Sequence, residues 1–315
     1  MIAFVLSGGG SRGALQVGAL QVLLEAGIKP DMVVGSSVGA INGAALAVSP
    51  DAVGIDQLER FWLGAESTRI YSPNLITMAL RVMLKRDSLV SSAEFYRFIR
   101  RHVLPQAEIF ADLEATRLYI TAVDLASGQL HIFGDDPSDS LVDAIMASTS
   151  IQPFFPPWSI GERRFIDGGY LSNLPLLAAI ERGAQEIYAL DLTALGEEAD
   201  RTQGLIPILM HEADIVLYHL AQFELRQARR ILGDRLHHIP MTEYDGCSLF
   251  DFSRTQEMIR RGRELMKRFL ENQPVVADRV DRSSVGAFSP RISHSNDNRP
   301  VLLKPVSTGL EATRQ

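Results

Sequence analysis

Three short stretches of this 315-residue chain hold the residue types and spacings best suited to chemistry. In the first, Ser37 stands in the frame Gly35-Ser36-Ser37-Val38-Gly39. This G-x-S-x-G spacing puts a serine hydroxyl on a tight strand-to-helix turn. A serine hydroxyl is a weak nucleophile until a base takes its proton, so the frame calls for a base. The second stretch, Ser7-Gly8-Gly9-Gly10-Ser11-Arg12-Gly13, lies between an apolar run and a helical pattern. A glycine loop at a helix N-terminus holds negative charge on free backbone N–H groups. Acyl transfer at Ser37 would develop an oxyanion, with donors expected from Gly9, Gly10 and Ser11. For Arg12 two roles stand: meeting an anionic head group, or holding the loop. In the third stretch, "FIDGGYLSNLP", Asp167 ends a strand, and Gly168 and Gly169 permit a tight turn. A carboxylate there could take the serine proton directly. Partial desolvation would raise its pKa from about 3.9 and improve the match to the task.

Other readings of the same residues exist. Gly8, Gly10 and Gly13 also satisfy G-x-G-x-x-G, the dinucleotide fingerprint. That reading wants an acidic residue closing the second strand, which here ends in Gly35-Ser36-Ser37, with Asp31 lying before it. A Ser-His-Asp triad would need a late histidine, and of the seven histidines His237 and His238 in "DRLHHIP" come late enough. They read more simply as an ordinary strand-end pair. Ser36 could cap the helix while Ser37 is the nucleophile.

These residues need elements to position them. Ile2 to Leu6 is a continuous apolar run, as in a strand buried on both faces. Leu15, Ala19, Val22, Leu23 and Ala26 then recur at helical spacing, with Gly27 where a C-terminal cap belongs. Met32 to Val34 starts a second strand, and the small residues Gly39, Ala40, Gly43, Ala44 and Ala45 let the next helix lie close to a sheet. Strand, helix, strand, helix implies parallel pairing in an α/β layered sheet. Further on, residues 117–133 read as two strands joined through Ser127-Gly128, "SLVDAIMASTS" as a helix and "EIYALDL" as a buried strand. Asn173 is expected to cap a helix with Pro175 near its first turn and Gly183 at its end. Long helical patterns run from about 206 to 232 and from about 253 to 272. The stretch from about 55 to 110 is amphipathic. Its segment "LITMALRVMLKR" fits a lid touching lipid, or a helix packed on its own core.

With 46% hydrophobic residues the chain can bury a substantial core, and a net charge of -7 argues against a general nucleic-acid binder. The single cysteine, Cys247, excludes an intramolecular disulfide and a cysteine-rich metal site. The N-terminal "MIAFVLSGGG" lacks the basic region and long apolar run of a signal peptide, and no window reaches the roughly 18 apolar residues of a membrane span. A cytosolic protein is expected, with contact at a membrane surface left open.

In combination the motifs resemble those of the patatin-like phospholipases. The likeness rests on Gly8-Gly9-Gly10-Ser11-Arg12-Gly13, on Gly35-Ser36-Ser37-Val38-Gly39 with Ala40-Ile41-Asn42-Gly43, and on Asp167-Gly168-Gly169 with Asn173-Leu174-Pro175. It covers roughly residues 2 to 195, with weaker support to about 272. The resemblance implies a three-layer α/β/α fold with a mainly parallel central sheet. It also implies a Ser37–Asp167 dyad without histidine, a glycine-loop oxyanion hole and hydrolysis of lipid acyl esters without metal or organic cofactor. A catalytic domain is expected over 1–273 and a flexible tail over 274–315, where periodicity fades. Two other classes stand beside the hydrolase: an acyltransferase on the same site, and a non-enzymatic nucleotide- or phosphate-binding module.

Overall fold

The computed structural model describes residues 1–64, 92–104, 107–195, 204–244, 247 and 249–272. The amphipathic segment at 75–86 and the expected tail lie outside them. The elements run β1 (Ile2–Leu6), α1 (Gly13–Glu25), β2 (Met32–Gly35), α2 (Val38–Val48), α3 (Ala52–Leu63) and α4 (Ser92–His102). They continue with β3 (Arg117–Asp124), β4 (Leu130–Phe133), α5 (Leu141–Ser148), β5 (Trp158–Ile160), β6 (Arg163–Asp167), α6 (Gly169–Ser172) and α7 (Leu176–Glu181). The last are β7 (Glu186–Asp191), α8 (Leu205–Leu232), β8 (Leu236–Pro240) and α9 (Thr255–Glu271).

One sheet organises the molecule, in the order β5-β6-β3-β2-β1-β7-β8, with β4 also pairing β3. Its centre is parallel, through β3·β2, β2·β1, β1·β7 and β7·β8. The β3–β6 side is antiparallel. The apolar run of β1 is continuous because both faces of this strand are covered. Phe4 and Leu6 belong to one hydrophobic core, Ala3 and Val5 to the other, and all four are fully buried. Helices α1, α2, α3 and α5 pack on the first face, and α7 and α8 supply the second. This is the α/β fold with a helix-flanked central sheet that the sequence implies.

The last described helix, α9, lies against α1 at backbone distance. A β-carbon on Gly18 would overlap the Ile259 carbonyl, and one on Gly262 would overlap the Leu15 carbonyl. Helix α1 ends as expected, with Gly27 at φ 75° just beyond its cap. One expectation fails. Asn173 does not cap α7, whose N-cap is Pro175 with no side-chain bond. The buried Asn173 amide instead donates to Thr193 Oγ1 at 3.1 Å and to the Gly8 carbonyl at 3.4 Å. A tertiary partner has replaced the local one.

Candidate active site

Strand β2 ends at Gly35, and two residues later the chain turns sharply into α2. Ser37 carries the turn at φ 53° and ψ -122°, a region that non-glycine residues rarely occupy. Such strain persists only where the surroundings hold it, and it gathers at functional sites. Here the Ser37 N–H donates to Ser148 Oγ at 2.8 Å. Gly39 passes the Leu6 carbonyl, where a β-carbon would overlap it, and Gly35 fits against Gly39 in the same way. Ser36 does not cap the helix: it is fully buried, its Oγ has no partner among the described residues, and the N-cap position is Ser37 itself.

Sheet register brings Asp167 to the height of Ser37. Gly35 pairs with Ile120, and two residues on, Ala122 pairs with Asp167. Two residues beyond Gly35 is Ser37. The chain then turns at Gly168, which lies against Thr121 where a β-carbon would overlap it, into α6. Asp167 is 4% exposed. Its Oδ1 accepts the Gly169 N–H at 2.8 Å, while Oδ2 is buried without a well-aligned partner among the described residues. Burial pushes its pKa up to about 6, against the Ser37 hydroxyl and the Gly169 N–H, which both favour the charged form.

An account of the glycine loop's N–H groups shows which are free to meet an anion. The Gly8 N–H donates to the Asn173 carbonyl at 3.2 Å, Ser11 to the Leu249 carbonyl at 2.7 Å, and Arg12 to the Gly9 carbonyl at 3.3 Å. Gly13 bonds back to Gly10 and Ser11. The N–H groups of Gly9 and Gly10 have no partner among the described residues, and neither does that of Val38 at the start of α2. The expectation that Ser11 donates to an oxyanion is thus corrected, because its N–H is already engaged. Gly8 touches Ser37: its β-carbon would lie 3.0 Å from Ser37 Cβ and overlap Asn173 Oδ1. Arg12 is 7% exposed, its Nε donates to the Gly9 carbonyl at 3.3 Å, and it also lines the cleft.

Ser37, Asp167 and the loop glycines open into one cleft of about 1120 Å³, its mouth included. Its walls are aromatic, from Phe61, Trp62, Phe95, Phe155, Phe250 and Phe252. Phe95 stacks on Phe155 at 5.4 Å, and Trp62 lies 5.9 Å from Phe252. The polar exceptions include Tyr170 and Asp214, whose pKa burial raises, with Arg12 opposing it. An apolar cleft that ends in a serine hydroxyl, a buried carboxylate and unengaged N–H groups has the parts that ester cleavage needs, with room for a hydrocarbon chain. Among the described residues no cluster of His, Cys, Asp and Glu is placed to hold a metal ion. His237 and His238 lie within β8, paired with Glu186 and Asp191 at 3.1 and 2.9 Å. Three strand spacings, roughly 14 Å, separate β8 from β2, and neither histidine lines the cleft.

Sequence reasoning misses the cleft's walls. Phe61, Trp62 and Phe95 come from α3 and α4, where an apolar stripe reads as core. Ser148 at the end of α5 carries no signal at all.

Residues 4–180 match the family described as "Patatin-like phospholipase". Among similar proteins is "Patatin-like phospholipase domain-containing protein 6" of Homo sapiens, 29% identical over 209 residues, which are 64% of this chain and 14% of that protein. "Lysophospholipase NTE1" of Debaryomyces hansenii is 30% identical over 208 residues, 64% of this chain and 12% of that protein. The chain thus matches only a small part of each of these relatives. Of solved structures, VipD from Legionella pneumophila is similar at 14% identity and a TM-score of 0.46, covering 85% of this chain and 66% of that one.

Proposed function

The chain belongs to the patatin-like phospholipase family, and on that footing we propose that it is a serine acyl hydrolase acting on lipid esters through a Ser37–Asp167 dyad. The observation that carries the reading is the meeting of three things in one apolar cleft. These are a strained serine, a buried carboxylate whose pKa lies near 6, and two unengaged N–H groups.

In the first step Ser37 Oγ attacks the ester carbonyl carbon and its proton passes to Asp167 Oδ2. The carbonyl oxygen becomes an oxyanion, which the Gly9 and Gly10 N–H groups stabilise. Collapse breaks the ester C–O bond. The departing alkoxide takes the proton from Asp167, leaving an acyl-serine. Water then gives a proton to Asp167 and attacks the acyl carbon, and the second collapse returns the proton to Ser37 as the fatty acid leaves. A base with a pKa near 6 is ionised at neutral pH and still basic enough to share the proton in the transition state. The aromatic walls would take the acyl chain. No helix among the described residues is long and apolar enough to cross a membrane.

An acyltransferase would use the same first half-reaction and differ only in the acceptor. The experiment is product analysis on a long-chain lysophospholipid, with and without an added alcohol acceptor. Free fatty acid as the main product in both supports the hydrolase. Acyl transfer that outruns fatty-acid release would assign the second reading. A nucleotide-binding module would show thermal stabilisation by nucleotides and no ester turnover.

A further inference from the structure

An oxyanion hole made of backbone N–H groups poses a mechanical problem. Gly8, Gly9 and Gly10 carry no side chains, and three glycines form the most flexible backbone available. If the N–H groups of Gly9 and Gly10 must stay unengaged for the oxyanion, the loop has to be anchored largely through its carbonyls. Carbonyls need donors, and here side chains supply them. Gln16 Nε2 donates to the Ser7 carbonyl at 3.0 Å, Asn42 Nδ2 to the Gly13 carbonyl at 3.0 Å, Asn173 to Gly8 and Arg12 to Gly9.

Two of these anchors are wired together. Asn42 Nδ2 also donates to Gln16 Oε1 at 2.9 Å, and Gln16 Nε2 also donates to the Leu190 carbonyl at 3.2 Å. Asn42 Oδ1 in turn accepts the indole N–H of Trp62 at 2.9 Å. Both amides are fully buried, and Trp62 is 3% exposed. The direction of the chain is fixed from its ends. An indole N–H can only donate and a peptide carbonyl can only accept, so each amide has a single orientation that satisfies every bond. Trp62 is also a wall of the cleft.

We propose that Asn42 and Gln16 are positioning residues: with Trp62 they form a one-way hydrogen-bond chain that holds both ends of the glycine loop and ties it to the cleft wall. The role in turnover rests on the catalytic reading above. The role in holding the loop does not. Neither amide touches the reacting atoms. They act by keeping the Gly9 and Gly10 N–H groups aimed at the site, and a displacement of about 1 Å there can cost on the order of 100-fold in rate.

The test uses Trp62→Phe, which keeps an aromatic ring and removes the N–H, and Gln16→Met, which keeps the length and removes both donors. Two readouts are taken well below the melting temperature. These are kcat and KM on an acyl ester, and hydrogen–deuterium exchange of the peptide spanning residues 7–13. Each variant is expected to lose on the order of tenfold or more in kcat and to exchange faster at 7–13, with KM unchanged in Gln16→Met, because Gln16 does not line the cleft. The double variant is expected to lose no more than the worse single, because the chain acts as a unit. Losses that multiply, a change confined to KM in Gln16→Met, or wild-type exchange at 7–13 in folded variants would overturn the proposal. Where Gln16→Met does not fold, Trp62→Phe carries the test by both readouts. If Ser37→Ala retains full activity, the catalytic reading fails instead, and exchange at 7–13 still decides the chain.

Discussion

Replacing Asp167, the proposed base, should make the protein more stable while abolishing turnover. Asp167 has a folded-state pKa of about 6 against an ordinary 3.8, so folding favours its protonated form. Below about pH 4 the carboxyl is neutral in both folded and unfolded chains and costs nothing. As pH rises from 4 to 6 the unfolded chain ionises first and gains an advantage, and above about 6 the penalty is complete. The difference of about 2 pKa units corresponds to about 3 kcal/mol. An asparagine side chain in its place would keep an oxygen for the Gly169 N–H and carry no charge, and its amide could donate to Ser37 Oγ. The Asp167→Asn variant is therefore expected to be up to about 3 kcal/mol more stable than wild type at pH 7.5, with a melting temperature higher by roughly 6 °C. The gain should shrink to less than about 1 kcal/mol at pH 4. Urea unfolding of both proteins at half-unit steps between pH 4 and 8 measures it. An Asp167→Asn variant no more stable than wild type at pH 7.5, or a gain that is the same at every pH, would refute the argument from burial.

Three further outcomes follow from the same geometry. With a carboxylate base of pKa about 6, kcat/KM should fall about tenfold per pH unit below 6. His237→Ala and His238→Ala should leave that limb in place, which separates the base from a histidine of similar pKa. Gly8→Ala should lower kcat on a short p-nitrophenyl ester by about 100-fold or more, because the new methyl overlaps Asn173 Oδ1 and crowds Ser37. In Gly18→Ala the methyl meets the Ile259 carbonyl of α9. It should cost about 1–3 kcal/mol in urea unfolding while kcat of the folded fraction stays at the wild-type value.

What the sequence makes legible is chemistry that is local along the chain. The turn at Ser37, the glycines flanking it and the pair after Asp167 each sit within a handful of residues, so type and spacing suffice. The early βαβα order likewise implies the parallel sheet. What the sequence hides is set by tertiary geometry. Asp167 reaches the height of Ser37 only through the β2·β3 and β3·β6 registers, and no spacing in the sequence encodes that sum. Asn173 followed by Pro175 carries a sound local cap signal, yet the amide is claimed by Gly8 and Thr193 from elsewhere in the fold. Gln16 is one of two glutamines on a mostly apolar helix, and nothing in its neighbourhood says that Asn42 and two carbonyls await it. The same limit applies to Ser11. Its N–H is free in the sequence and engaged only because Leu249 comes back to meet it.

The central claim is that Ser37 is the nucleophile and Asp167 its base. The most direct measurement is labelling by a fluorophosphonate probe, with the modified peptide located by mass spectrometry, in wild type, Ser37→Ala and Asp167→Asn. The account predicts a single adduct on Ser37 in wild type, none in Ser37→Ala, and labelling slowed by orders of magnitude in Asp167→Asn, with ester hydrolysis lost in both variants. An adduct on another residue, or labelling and hydrolysis at wild-type rates in Asp167→Asn, would contradict it.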